Sequence, residues 1–289
     1  MVRGRWAIAG GIATVVLALA AVAAVSVALV RFVGSDSQSM LPQAHRAIYD
    51  LTLDHGKSAG EVLGLEGRMV VEWRGGPACD GYTSDQRVVT NSLDSGGHVS
   101  VSDVRLSSWE ALDGDEFRFD RTEYLDGKLS TRESGIARRK DGKVTLEEPD
   151  KETQILSSDV MFPTAFNTAL TAAVGKGKSA FSHLLFDGTQ ATATNVTAFI
   201  GKAGDATSDA RSVRIKNRGE GMPLKGTKAW PIRMSYFDQG DDVQDGTPSF
   251  EMGFHMFPNG VMSQLSLDYE DVVLNGNLAQ IEYFKPGGC

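Results

Sequence analysis

Glu116-Phe-Arg-Phe-Asp-Arg-Thr-Glu-Tyr-Leu-Asp-Gly-Lys-Leu-Ser-Thr-Arg-Glu-Ser-Gly-Ile-Ala-Arg-Arg-Lys-Asp-Gly-Lys-Val-Thr-Leu-Glu147 is the stretch on which the fold turns. It holds three runs of β-type composition, 116–124, 128–137 and 143–147, separated by Asp126-Gly127 and Asp141-Gly142. Such pairs tolerate positive φ at both central turn positions, as the hairpin turns that match strand twist require. Outward from this stretch the pattern repeats, with Asp-Gly or Asn-Gly at 80–81, 113–114, 187–188, 245–246, 259–260 and 275–276. Further strand-like runs occupy 47–53, 61–73, 83–92, 98–109, 193–200, 212–217, 229–237, 249–257, 261–273 and 278–284. Polar and apolar residues alternate with period two in many of them, giving a sheet with one dry face and one wet face. The prediction is a mainly β chain, a long antiparallel meander forming a curved open sheet.

One helix interrupts the strands. Phe162-Pro163-Thr164 leads into 165–174, with Phe166, Leu170 and Val174 on one stripe, Pro163 in the first turn and Gly175 as the stop. A lone amphipathic helix in a β meander either covers the concave face of the curved sheet with that stripe or lies over one sheet edge.

The chain opens with Arg3 and Arg5, an apolar segment from Trp6 to Val30, then Arg31 and a polar stretch. This is an export signal, with the basic residues retained on the cytoplasmic side. Residues 1–34 are read as a cleaved signal peptide or a retained anchor, 35–44 as a linker and 45–289 as one domain. The apolar segment, residues 6–30, is long enough to span a bilayer, and it is the chain's only predicted membrane contact. The exported part holds 29 − 3 = 26 Lys and Arg against 37 Asp and Glu, a net charge of −11. That balance argues against nucleic acid and anionic lipid surfaces as partners.

An oxidising compartment bears on the two cysteines, Cys79 in the turn of a hairpin over 67–89 and Cys289 at the C-terminus. A lone pair in an exported chain reads as a disulfide, and the alternative is two free thiols.

Motifs for chemistry are weak. Gly56-Lys57-Ser58-Ala59-Gly60, after Asp54 and His55, has the letters of a nucleophile elbow, but no helix pattern follows it. Gly177-Lys178-Ser179 resembles the end of a phosphate loop, yet the helix precedes the glycines. Asp238, Asp241, Asp242 and Asp245 read as a solvated acidic loop, their spacing being wrong for an EF-hand. His45, His55, His98, His183 and His255 show no metal-ligand spacing. No catalytic, metal or cofactor residues are therefore predicted.

Leu41-Pro-Gln-Ala-His-Arg-Ala-Ile-Tyr-Asp-Leu-Thr-Leu53, Gly64-Leu-Glu-Gly-Arg-Met-Val70, Cys79-Asp-Gly-Tyr82, Phe117-Arg-Phe119, Met161-Phe-Pro-Thr164, Leu185-Phe-Asp-Gly188 and the terminal cysteine occur in one order. Together they resemble the EipB cell-envelope integrity family over about residues 41–289. The resemblance implies a periplasmic β-spiral of Gram-negative bacteria, a half-cylinder with a helix in its concavity and a disulfide between its two cysteines. It implies a non-enzymatic role in envelope integrity and, as partner, a periplasmic tetratricopeptide-repeat protein. Family members are similar in shape to lipid and lipoprotein carriers, which gives the alternative function. An envelope hydrolase with dispersed carboxylates is the third reading.

Overall fold

The computed structural model describes residues 42–76, 78–206, 215–238 and 246–285. The predicted export segment and Cys289 lie outside them. The first eight strands are β1 (His45–Leu53), β2 (Val62–Gly75), β3 (Gly81–Asp94), β4 (Val99–Ala111), β5 (Glu116–Leu125), β6 (Lys128–Lys140), β7 (Lys143–Glu147) and β8 (Gln154–Leu156). Helix α1 (Pro163–Gly175) follows. The rest are β9 (Ala180–Leu185), β10 (Thr194–Ile200), β11 (Gly204–Asp205), β12 (Lys216–Arg218), β13 (Lys228–Phe237), β14 (Phe250–Met256), β15 (Met262–Asp268) and β16 (Val273–Tyr283).

The described strands join into one open sheet, ordered β8-β7-β6-β5-β4-β3-β2-β1-β16-β15-β14-β13-β10-β9. Two meanders thus run outward from the pair of β1 with β16, which is antiparallel from His45 opposite Tyr283 to Leu53 opposite Leu274. This amends the expectation of a single sequential meander: the sheet's edges are the mid-chain strands β8 and β9. Short β12 lies parallel to the end of β16, and β11 pairs with β13.

Asp126 and Gly127 have φ of 50° and 74°, and Asp141 and Gly142 have 50° and 72°, the double positive φ on which the reading rested. Asn275-Gly276 departs from it by lying inside β16. A Cβ at Gly276 would come within 2.9 Å of Leu265 Cβ and 3.2 Å of Leu51 Cδ2, so this glycine permits close packing rather than a turn. The run 261–273 is also two strands. Asp268 Oδ1 accepts the amide of Glu270 at 3.2 Å, and Glu270 takes a φ of 66°, a side-chain-stabilised turn that ends β15. Of the run 212–217 only Lys216 and Asn217 fall in a described strand, and β8 and β9 were not anticipated.

Alternation is clean in β1, where Ala47, Tyr49, Leu51 and Leu53 are buried between more exposed neighbours. On the wet face, cross-strand ion pairs such as Arg68–Asp50 at 2.8 Å and Arg87–Asp103 at 2.9 Å decorate the sheet, each contributing little at such exposure. The dry face holds two apolar clusters. The larger takes in β1, β2, β13–β16 and, from α1, Phe166, Leu170, Ala173 and Val174. The smaller joins Phe117, Phe119, Val144 and Leu146 to Phe162 and Phe186, with Phe117 stacked on Phe162 at 5.4 Å and edge-on to Phe186 at 6.1 Å. Helix α1 therefore sits where the two clusters meet, and its predicted stripe Phe166, Leu170 and Val174 is buried. The segment from β8 to β9 that carries it spans the two sheet edges. Met161 ties it to the end of β9, donating to Leu184 O at 2.8 Å and accepting from Phe186 N at 2.9 Å.

Candidate functional site

The rim formed by the loops after β1 and β3 holds a pocket of about 440 Å³. Leu53, Leu65 and Ser92 make its inner wall, and Leu93 and Val99 its outer lip. The register explains the lip, since Leu93 faces Val99 directly across the β3–β4 ladder. Leu63 comes beside them because β2 slips register between Val62 and Gly64. The three are 55% (Leu63), 40% (Leu93) and 66% (Val99) exposed, an apolar patch at the sheet's end. Thr52, His55, Glu66 and Asn91 give it a polar border. This combination suits binding of an apolar group.

The loop bounding the pocket is fixed by a residue from the elbow-like motif. Ser58 Oγ donates to Val273 O at 3.2 Å and accepts from Val273 N at 3.0 Å, so the serine is tied into β16. Gly177 and Lys178 close the end of α1, with amides bonded to Val174 O at 2.9 Å and Ala173 O at 3.0 Å. Of the acidic loop only Asp238 is described; it accepts from Ser249 Oγ at 3.0 Å, while Asp241, Asp242 and Asp245 lie outside the described residues. Among the described residues no cluster of three His, Cys, Asp or Glu could hold a metal ion.

At the opposite rim, Glu110 of β4 is 3% exposed and points onto the dry face. Its Oε2 accepts the amide of Thr164 at 2.6 Å and its Oε1 that of Ala165 at 3.0 Å. Phe162 occupies the N-cap and offers no side-chain cap, and the first turn holds no acidic residue. Pro163 has no N–H, so Thr164 and Ala165 carry the donors that a capping side chain normally satisfies. A carboxylate from 54 residues upstream supplies what the helix's own sequence lacks. Burial pushes the Glu110 carboxyl up to about 7, against the pull of the amide bonds.

Cys79 lies in the turn between β2 and β3, its amide donating to Gly76 O at 2.9 Å. No cysteine among the described residues is free; Cys289, the predicted partner, lies outside them. The C-terminal segment is held near that turn. Phe284 donates its amide to Ala44 O at 2.9 Å, and the Arg74 guanidinium sits 3.6 Å from the Phe284 ring centre.

Comparison with known proteins matches residues 37–285 to the family described as EipB-like. The chain is 32% identical over 253 residues to the "Cell envelope integrity protein EipB" of Brucella abortus, covering 85% of this chain and 87% of that protein. It is also similar to a crystal structure of a β-barrel-like protein of a domain of unknown function from Brucella abortus. There the TM-score is 0.77 at 30% identity, over 85% of this chain and 99% of the other.

Proposed function

The chain belongs to the EipB-like family, and from that premise we propose that it is a non-enzymatic periplasmic protein supporting cell-envelope integrity by holding a partner protein or apolar ligand against its curved sheet. The observation that carries the reading is the apolar rim of Leu63, Leu93 and Val99 beside the pocket. Contiguous exposed apolar surface marks interaction sites. The dry face is less suited to the role because the stripe of α1 packs into its apolar cluster. A tetratricopeptide-repeat protein, with its extended concave surface, is the partner type proposed. The test replaces Leu93 and Val99 with lysine in cells that depend on this protein. Envelope leakage under detergent stress is expected with an unchanged melting temperature; full protection by the variant would sink the rim as the site.

The apolar wall of Leu53 and Leu65 favours one second reading, a lipid or lipoprotein carrier whose pocket takes the end of an acyl chain. Solvent extraction and mass spectrometry of the purified protein separate the two. Co-purifying lipid lost in the lysine variant supports the carrier; a lipid-free protein that still protects cells supports the partner.

A further inference from the structure

Strand β6 is 13 residues long and its outer neighbour β7 only 5. On one side β5 runs beside β6 from Lys128 to Arg138; on the other, β7 pairs only with Ile136 to Lys140. The sequence ends that second pairing. Glu148-Pro149-Asp150-Lys151 turns away, with Lys151 donating its amide to Glu148 O at 3.4 Å and Asp150 at a φ of 59°. Pro149 holds the second position, which a type II turn favours, and has no amide with which to continue the ladder. Towards the start of β6, a slip of register opposite Glu123 and Tyr124 leaves Ser130 as a bulge. Between these limits, from Thr131 to Gly135, the outer side of β6 has no strand beside it among the described residues.

The direction of the free backbone groups follows from one bond. Arg139 donates its amide to Asp115 O, on the β5 side, at 2.7 Å. Backbone groups in an antiparallel ladder alternate sides from residue to residue. Arg132 and Ser134 therefore turn their N–H and C=O groups outward, away from β5. Beside them runs a groove of about 690 Å³, lined by Ser130 to Ser134 on one side and by Glu148 to Lys151 on the other. Successive strand residues point to opposite faces, so five in a row border one groove only where it follows the strand's edge. With strands about 4.8 Å apart and layers about 10 Å thick, this volume takes about four residues of extended chain. The free edge has the same length.

We propose that this edge is a docking site for an extended peptide segment of a partner protein, which adds as a further strand outside β6 and carries a lysine or arginine. A row of outward amides and carbonyls is matched by another backbone. Charge selects the side chain. Arg132 pairs with Asp120 at 3.4 Å and Lys151 with Glu148 at 2.9 Å. Arg121, 4% exposed beneath the groove, is shared between Glu133 at 2.8 Å and Glu123 at 2.9 Å. Asp150 is exposed, and its neighbour Lys151 is taken up by Glu148. The groove thus sets two engaged cations, Arg132 and Lys151, against the three carboxylates of Glu133, Glu148 and Asp150; Lys128 does not line it. A second copy of the chain fits less well, because the wall of Glu148 to Lys151 leaves width for one strand and bars the edge of a whole sheet. This edge is separate from the apolar rim and is tested separately from it.

The experiment is fluorescence anisotropy of labelled seven-residue peptides with the purified protein. The probe alternates valine with lysine; one control alternates valine with glutamate, and another is the lysine peptide with its backbone amides methylated. Saturable binding of the lysine peptide is expected, at least tenfold tighter than either control. Ser134→Pro deletes an outward amide at an edge position that tolerates proline, leaving the bonds to β5 in place, and should weaken binding at least tenfold. Asp150→Asn keeps a residue suited to positive φ and should remove most of the preference for lysine over glutamate; it serves if the proline variant fails to fold. The proposal is overturned if no peptide binds, if the glutamate or methylated peptide binds as tightly as the probe, or if both variants bind like the parent. It is equally overturned if sedimentation shows a dimer that Ser134→Pro dissolves, since the edge then belongs to a second copy.

Discussion

A single carboxylate, Glu110, completes the start of a helix whose own sequence leaves it uncapped, and the consequences can be measured. Glu110→Ala strips the acceptor from two buried amides and should cost about 1–3 kcal/mol, read from denaturant unfolding. Its pH dependence has a definite sign. The folded-state value is raised to about 7 from an ordinary 4.5, so the folded protein binds this proton more tightly than the unfolded chain. The stability it contributes is fully present below about 4.5 and is lost as pH rises through about 7. Glu110→Gln should flatten that part of the stability profile; an unchanged slope would place its source elsewhere. In the sequence, Glu110, Arg121 and Glu123 could have been noticed as charged residues at positions whose two-residue alternation assigns them to the dry face. What they touch could not, because Thr164 and Glu110 meet only once β4 and α1 are folded together. Gly276 shows the same limit, since the same Asn-Gly letters serve a turn elsewhere and a close contact here.

Among the elements, α1 was the most legible, its stripe, its proline start and its glycine stop all being local signals. Its place was only narrowed to two options, and in the structure the stripe packs into the larger apolar cluster with strands from both halves of the chain. Leu170, 1% exposed within the larger cluster, is the position to probe. Leu170→Ala should destabilise by about 2–5 kcal/mol through the cavity it leaves, checked by thermal and denaturant melts; a loss under 1 kcal/mol would mean the helix is only loosely seated. The hairpins around 116–147 were legible for the same local reason. Strands β8 and β9 were not, because three and six residues with little alternation give no period to read. The rim pocket escaped notice too: Leu93 and Val99 read singly as outward apolar residues at strand ends, and only the register sets them opposite one another at the sheet's end.

For the whole molecule, the pairing of β1 with β16 puts the first and last described strands in the middle of the sheet, with β16 two strands from β2 of the Cys79 hairpin. Adjacent strands lie about 4.8 Å apart, so β16 to β2 is about 10 Å. The four residues after Lys285 can extend about 14 Å, enough for Cys289 to reach Cys79. A bond there would restrict the unfolded chain by about 5 kcal/mol in the chain-entropy model. Reduction should therefore lower the melting temperature by several degrees while leaving the β content intact. Two free thiols in non-reducing mass spectrometry would remove the bond from the account. A lone cysteine pair in an exported chain suggested this pairing in the sequence, but the central position of β16 was invisible there, since nothing local to either end announces the other. That position also sets an order of events for a chain synthesised from its N-terminus. The first strand emerges early and finds β2 at once, yet its other neighbour is the last strand to arrive. Contacts between such distant segments slow the search for the native state. Completion of this sheet must wait for β16, leaving that edge of β1 open to wrong partners until then.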